Sequence, residues 1–155
     1  MEIANILSPA AVIANLKATS KKQALQELAK RAHSLTGLPE RQIFEALLER
    51  ERLGTTGVGM GNAIPHARMG ALTRLYGLFA RLDHPIDFEA IDDQPVDLIF
   101  VLLAPESAGA DHLKALARVS RVFRDKSICA KLRGTDDADA LYALWTEPVA
   151  RNSAA

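Results

Sequence analysis

Residues 96–104 read VDLIFVLLA, an unbroken aliphatic and aromatic run apart from Asp97. A bilayer-spanning helix needs about 20 apolar residues, so this run is too short to cross a membrane. A strand with one wet face would alternate apolar with polar, and this run does not. It suits a central strand buried on both faces, and such a strand must be covered by helices above and below.

The flanking sequence supplies those helices. Residues 20–36 carry Leu25, Leu28, Ala32 and Leu35 at helical spacing, with Ser20 and Gln23 as a capping box and Gly37 as a stop. Pro39 starts a second helix, where its missing N–H costs nothing. Ile43, Phe44, Leu47 and Leu48 form its apolar stripe, and Gly54 ends it. After the central run, Asp111 is expected to cap a third helix, Ser127 a short fourth ending near Gly134, and Thr135 a fifth bearing Leu141, Tyr142 and Trp145. Leu75–Leu82 reads as a second strand closed by a turn at Asp83-His84-Pro85. Weaker strand signals lie at Ala11–Ile13 and Ala63–Ile64. The order of helices, glycine loop, strands and helices predicts an α/β fold with a mixed sheet between helical layers.

Length and composition agree. The 155 residues amount to one domain, expected to span residues 1–155 with a core at about 5–147 and a frayed tail, ARNSAA. Hydrophobic residues at 48% and charged residues at 25% exclude a disordered chain. Nineteen basic and nineteen acidic side chains cancel, which removes the electrostatic footprint of a general nucleic-acid binder. The single Cys129 can form neither an internal disulfide nor a cysteine zinc cluster and is compatible with a reducing compartment. The N-terminus, MEIANILSPAAVIANL, has no basic segment of the signal-peptide kind. The expected location is therefore the cytoplasm, with no direct membrane insertion.

The chemistry concentrates in GTTGVGMGNAIPHAR, residues 54–68. A phosphate loop of the G-x-x-x-x-G-K-[ST] type fails because no Lys-Ser or Lys-Thr follows, and the dinucleotide G-x-G-x-x-G fails on its glycine spacing. Glycines at 57, 59 and 61 still permit tight turns and close approach of an anion to backbone N–H groups. His66 follows Pro65, which fixes its own φ and biases Ile64 to an extended backbone. On spacing alone two readings of His66 stand. It is either a nucleophilic imidazole at a phosphoryl site or a turn histidine making one backbone hydrogen bond. His112 lies in the first turn of the helix after the buried strand, where anions are favoured; the plainer reading is an exposed histidine. Arg50, near the end of the second helix, can clamp phosphate oxygens or be a solvated charge, with Arg52 and Arg68 as neighbouring competitors. His33 and His84 read as structural. A metal site is not expected, since His66 and His112 lack a helical i,i+4 spacing and no third ligand is forced. Asp92-Asp93 and Asp136-Asp137 read as turn or cap residues.

Four stretches then carry a resemblance: SKKQALQELAKRA, FEALLERERLGTTGVGMGNAIPHAR, PIDFEAIDDQPVDLIFVLLAPE and DHLKALARVSRVFRDKSICAKLR. Together they resemble enzyme IIA of the bacterial phosphotransferase system, of the fructose/mannitol type, and within it the stand-alone nitrogen-related branch. The resemblance implies a three-layer α/β/α sandwich with a central mixed sheet in a single domain. It implies that His66 accepts a phosphoryl group from an HPr-like phosphocarrier, with His112 beside it and Arg50 contributing positive charge. It implies a phosphoryl-binding loop containing Thr56, Gly57, Gly59, Gly61 and Asn62, and no cofactor, because the donor is a protein. No attached permease segment accompanies these motifs. The expected role is therefore phosphorylation-dependent regulation of target proteins, such as potassium-transport or stress-signalling proteins. The alternative is onward transfer to a separate sugar-specific IIB domain. The family loop commonly reads G-I-G-N-G-I-A-I-P-H-G; here Met60, Asn62 and Ala67 depart from it.

Overall fold

The computed structural model describes residues 1–147. Two 3₁₀ turns, Ile3–Asn5 and Pro9–Ala11, lead into β1 (Val12–Ile13), α1 (Lys21–Thr36) and α2 (Glu40–Leu53). Then come β2 (Gly57–Gly59), β3 (Asn62–Ala63), β4 (His66–Arg68), β5 (Tyr76–Ile86) and β6 (Val96–Ala104). Helices α3 (Ala110–Arg124), α4 (Lys126–Arg133) and α5 (Ala138–Thr146) follow. One six-stranded mixed sheet runs β1-β5-β6-β3-β2, with β4 also paired to β6. Only the β5–β6 and β2–β3 pairs are antiparallel. Helices α1 and α2 pack on each other and on β5 and β4, while α3 to α5 form the second helical layer, on β6 and β1. The fold is the expected α/β/α sandwich.

The central run is the sheet's buried middle. Every residue of β6 is buried except half-buried Asp97, whose carboxylate accepts from Arg133 Nε at 2.9 and 3.0 Å. The charge inside the apolar run is thus paired rather than orphaned. Over β6 and β5, Trp145 stacks against Phe100, Phe79 and Phe123 with ring centroids 4.7, 5.1 and 5.5 Å away. It anchors α5 through apolar area and tilted aromatic contacts.

Several local expectations are corrected. The turn at Asp83-His84-Pro85 is instead part of β5. Arg81 pairs with Leu98 and Ile86 with Val96, so the extra residues are taken up in a bulge where Pro85 needs no ladder hydrogen bond. The N-cap of α3 is Gly109, not Asp111; Asp111 lies inside the first turn. Asp125, not Ser127, caps α4 by accepting from Ser127 N and Ile128 N. Asp137, not Thr135, caps α5, while the Thr135 hydroxyl donates to Lys131 O. A carboxylate two or three residues upstream reaches the free N–H groups in both helices, and the hydroxyl residue is displaced from that job. Ser20 caps α1 as expected, but Gln23 Oε1 reaches back to Thr19 rather than Ser20. The tail ARNSAA lies outside the described residues.

The glycine segment forms a hairpin. Gly59 pairs with Asn62, leaving Met60 and Gly61 as the two central residues, with φ of +58° and +80°. Positive φ at both positions is the type I′ requirement, which favours Asn-Gly and strains methionine. The strain is offset by ties on both polar groups of Met60. Its N–H donates to Asp92 Oδ2 at 2.9 Å, and its carbonyl accepts from Arg133 Nη2 at 2.7 Å. Replacement Met60→Asn should therefore raise stability by about 1 kcal/mol or less, read as a higher urea midpoint with unchanged slope. Trp145→Ala should lower stability by about 3–5 kcal/mol in the same measurement.

Candidate functional site

Strand β4 is only three residues long, and its register decides where His66 goes. His66, Ala67 and Arg68 pair in parallel with Leu102, Leu103 and Ala104, the last residues of β6. His66 therefore sits at the carboxyl end of the buried central strand, where sites gather in sheets of this kind. The chain leaves β6 and enters α3 a few residues later, so His112, the third residue of that helix, returns beside it. The two imidazole rings lie edge to face, with centroids 5.7 Å apart and planes at 73°. The last turn of α2 brings Arg50 from the other side. Its Nε donates to His66 Nε2 at 3.2 Å and its Nη1 to Gly54 O at 2.8 Å. A cleft of about 530 Å³ opens over these groups, with Leu53, Arg68, Leu113 and Leu116 also in its walls.

The hydrogen bonds fix the ring chemistry. His66 Nδ1 lies 2.8 Å from Ile64 O, and a carbonyl only accepts, so Nδ1 carries the proton. The lone pair is then on Nε2, facing Arg50. His112 Nδ1 accepts from Arg68 Nε at 3.2 Å, and an arginine Nε–H only donates. In its neutral form His112 thus carries its proton on Nε2. That atom is buried and has no hydrogen-bond partner among the described residues. Burial pushes the His66 pKa below its ordinary value; the Ile64 carbonyl and Glu51 oppose this, and the Arg50 charge adds to it. Burial likewise lowers His112, helped by His66 and Arg68. Both imidazoles are therefore neutral at neutral pH, and His66 offers a free electron pair.

The loop residues sit elsewhere. None of Thr56, Gly57, Gly59, Gly61 and Asn62 lines the cleft. Asn62 pairs with Leu98, four residues before the partner of His66 on β6, or about 13 Å along a strand at ~3.3 Å per residue. Thr56 is buried; its hydroxyl and its N–H both donate to Glu51. Glu51 in turn takes Lys21 Nζ at 2.9 Å. Gly57 lies so close to Ala90 that an added Cβ would come within 2.8 Å of the alanine Cβ. The Asn62 amide donates to Phe123 O at 3.2 Å and its Oδ1 accepts from Arg133 Nη2 at 3.1 Å. The structure thus brings His66, His112 and Arg50 together and engages the five loop residues in holding a hairpin. Arg52 pairs with Glu49 at 3.5 Å, and His33 Nδ1 donates to Leu38 O at 2.6 Å. Among the described residues, no three His, Cys, Asp or Glu side chains converge as a metal site would require, and no helix is long and apolar enough to cross a membrane.

Two contributors escape sequence reasoning. Arg68 was one arginine among several, although its position two residues from His66 on an extended segment places both on one face. Glu51 lies off the apolar stripe of α2, and its burial follows from its tertiary partners Lys21 and Thr56.

The lowered pKa sets a pH window. As pH falls below the ordinary histidine value of about 6.5, the unfolded chain takes up protons before the fold does, so folding stability declines with falling pH. NMR titration should show His66 and His112 both ionising below that value. Arg50→Met should raise the His66 midpoint by removing a nearby positive charge.

Comparison with known proteins agrees with this geometry. Residues 5–147 match the family described as phosphoenolpyruvate-dependent sugar phosphotransferase system, EIIA 2. The chain is 59% identical over 150 residues to the nitrogen regulatory protein of Bradyrhizobium diazoefficiens, covering 97% of this chain and 98% of that one. The crystal structure of nitrogen regulatory protein IIA-Ntr from Neisseria meningitidis superposes with a TM-score of 0.89 at 36% identity, covering 93% of this chain and 99% of that one. Enzyme IIA mannitol of Escherichia coli, in its complex with phosphorylated IIB mannitol, shares the fold. Its TM-score is 0.76 at 19% identity, over 90% of this chain and 98% of that one. The chain belongs to the EIIA 2 family of the phosphoenolpyruvate-dependent sugar phosphotransferase system, among relatives named nitrogen regulatory proteins.

Proposed function

We propose that the protein is a phosphohistidine carrier that takes a phosphoryl group from an HPr-like phosphocarrier onto His66 Nε2 and uses the modified state to regulate partner proteins in the cytoplasm. The observation that carries this reading is the tautomer of His66. Its Nδ1–H is held by Ile64 O, and its Nε2 lone pair lies beside Arg50 and the His112 ring. The bond from phosphorus to the donor's ring nitrogen breaks as the bond to Nε2 forms. The electron pair of the broken bond stays on the donor nitrogen. The Nδ1 proton stays on His66, donated to Ile64 O as the ring gains positive character. Arg50 Nε–H moves from the ring nitrogen to a phosphoryl oxygen, which frees the nucleophile and places positive charge where negative charge spreads.

The surroundings suit a protein donor. Leu53 and Leu113, 86% and 65% exposed, stand on the rim of the cleft and offer apolar contact to a docking surface. The transferred group adds about −1.5 to −2 charges at this rim, enough to change what binds there. The names of the relatives favour regulation over sugar transport. Onward transfer to a IIB domain, as in the mannitol complex, is the competing outcome.

Intact mass after incubation with phosphoenolpyruvate, enzyme I and an HPr-like carrier tests the proposal. Wild type should gain one acid-labile phosphate and His66→Ala none. Arg50→Met should load about 10²-fold more slowly with its fold intact. No gain from donors that charge another IIA protein would sink the carrier reading. Transfer from the loaded protein to a fructose/mannitol-type IIB, without any partner whose affinity follows phosphorylation, would replace regulation by transport.

A further inference from the structure

We infer that Arg68 is a positioning residue of this site: by donating Nε–H to His112 Nδ1 it keeps the His112 proton on Nε2, the nitrogen left to donate to an incoming phosphoryl oxygen. The inference rests on the reading of His66 as acceptor and names a fourth side chain that this reading leaves without a role.

A neutral imidazole has one donor and one acceptor nitrogen, and its surroundings choose which is which. For His66 the choice is made by a backbone carbonyl, Ile64 O. Among the described residues no carbonyl holds the His112 ring, and the ring's one hydrogen bond is the 3.2 Å contact from Arg68 Nε, which can accept nothing and so demands a lone pair on Nδ1. The other nitrogen must then be N–H. A buried N–H without a partner is costly, and few are tolerated in folded proteins. Here it is a buried atom of a ring whose residue lines the cleft and which packs edge to face against His66. An anion bonded to His66 would supply the missing acceptor. The unsatisfied donor is then explained as a group held ready for charge that arrives only with the phosphoryl group.

Strand geometry makes the device rigid. Arg68 and His66 are two residues apart on β4, and both are registered to β6. The acceptor and the residue that sets its neighbour's tautomer therefore share one short strand, while His112 comes from α3. Arg68 makes and breaks no bond in the transfer. It acts through His112, as a hydrogen-bond partner that orients a functional histidine.

The test pairs a tautomer measurement with kinetics. Long-range ¹H–¹⁵N spectra at neutral pH should show His112 as the Nε2–H form in wild type and as a tautomer mixture in Arg68→Met. His66 should stay Nδ1–H in both. Arg68→Met should slow phosphoryl loading from the phosphorylated carrier by about 10- to 100-fold. In a His112→Ala background the same substitution should cost nothing further, because the residue it acts through is gone. Arg68→Lys, which keeps the charge but not the planar guanidinium, should restore less than the full rate. An unchanged His112 tautomer in Arg68→Met, or an equal slowing with and without His112, would overturn the inference. Wild type that accepts no phosphoryl group would overturn the carrier reading instead, and the spectra would still decide what Arg68 does to His112.

Discussion

The pairing of β4 with the carboxyl end of β6 is the constraint on which the site depends. Three backbone-registered residues fix His66 opposite Leu102 and Arg68 opposite Ala104. Because β6 is buried almost throughout, this register cannot slip without moving apolar side chains into water. The rigidity of the core is thereby passed to a half-buried histidine at the edge of the cleft. Everything else at the site is delivered to that fixed point: Arg50 by the end of α2, His112 by the start of α3. Both helices pack on the same sheet, which holds the spacing of the three groups.

Charge management follows from the same geometry. Two guanidiniums each hold a ring nitrogen of a different histidine. Burial and these neighbours keep both imidazoles neutral. A neutral pair inside a positive surround is what a transferring dianion needs: a lone pair to attack and donors to receive the charge. The cost of the arrangement is visible in the buried Nε2 of His112, which has no hydrogen-bond partner among the described residues.

The glycine hairpin illustrates how a functional-looking motif can be structural in large part. Its carbonyls, amides and side chains are engaged by Glu51, Asp92, Arg133 and Phe123. Glu51 is tied in turn to Lys21 on α1. A buried carboxylate of this kind is stable only while its donors remain, since one left unpaired would cost several kcal/mol. The hairpin's place is therefore set by α1, α2 and α4 together. Thr56 and Asn62 serve this scaffold, and their polar atoms are spent on it.

The sequence alone determined the layering. An uninterrupted apolar run flanked by amphipathic helices admits few other solutions, and the stops at Gly37 and Gly54 were readable from local conformational preference. It also singled out His66, His112 and Arg50, through proline chemistry, helix position and family motifs. The cap at Asp137 agrees with the reading of Asp136-Asp137 as turn or cap residues, whereas Asp125 and Asp137 compete with Ser127 and Thr135 for the same N–H groups and only three-dimensional reach decides. Pro85 signalled a turn where the ladder absorbs it as a bulge, since pairing with β6 outweighs a local preference. What only the tertiary structure decided were the relations between distant segments: the 5.7 Å approach of two histidines, the contact of Arg68 with His112, and the distance of the glycine hairpin from the cleft. Those depend on sheet register and helix packing, which join residues far apart in the chain and leave no periodicity in the sequence to announce them.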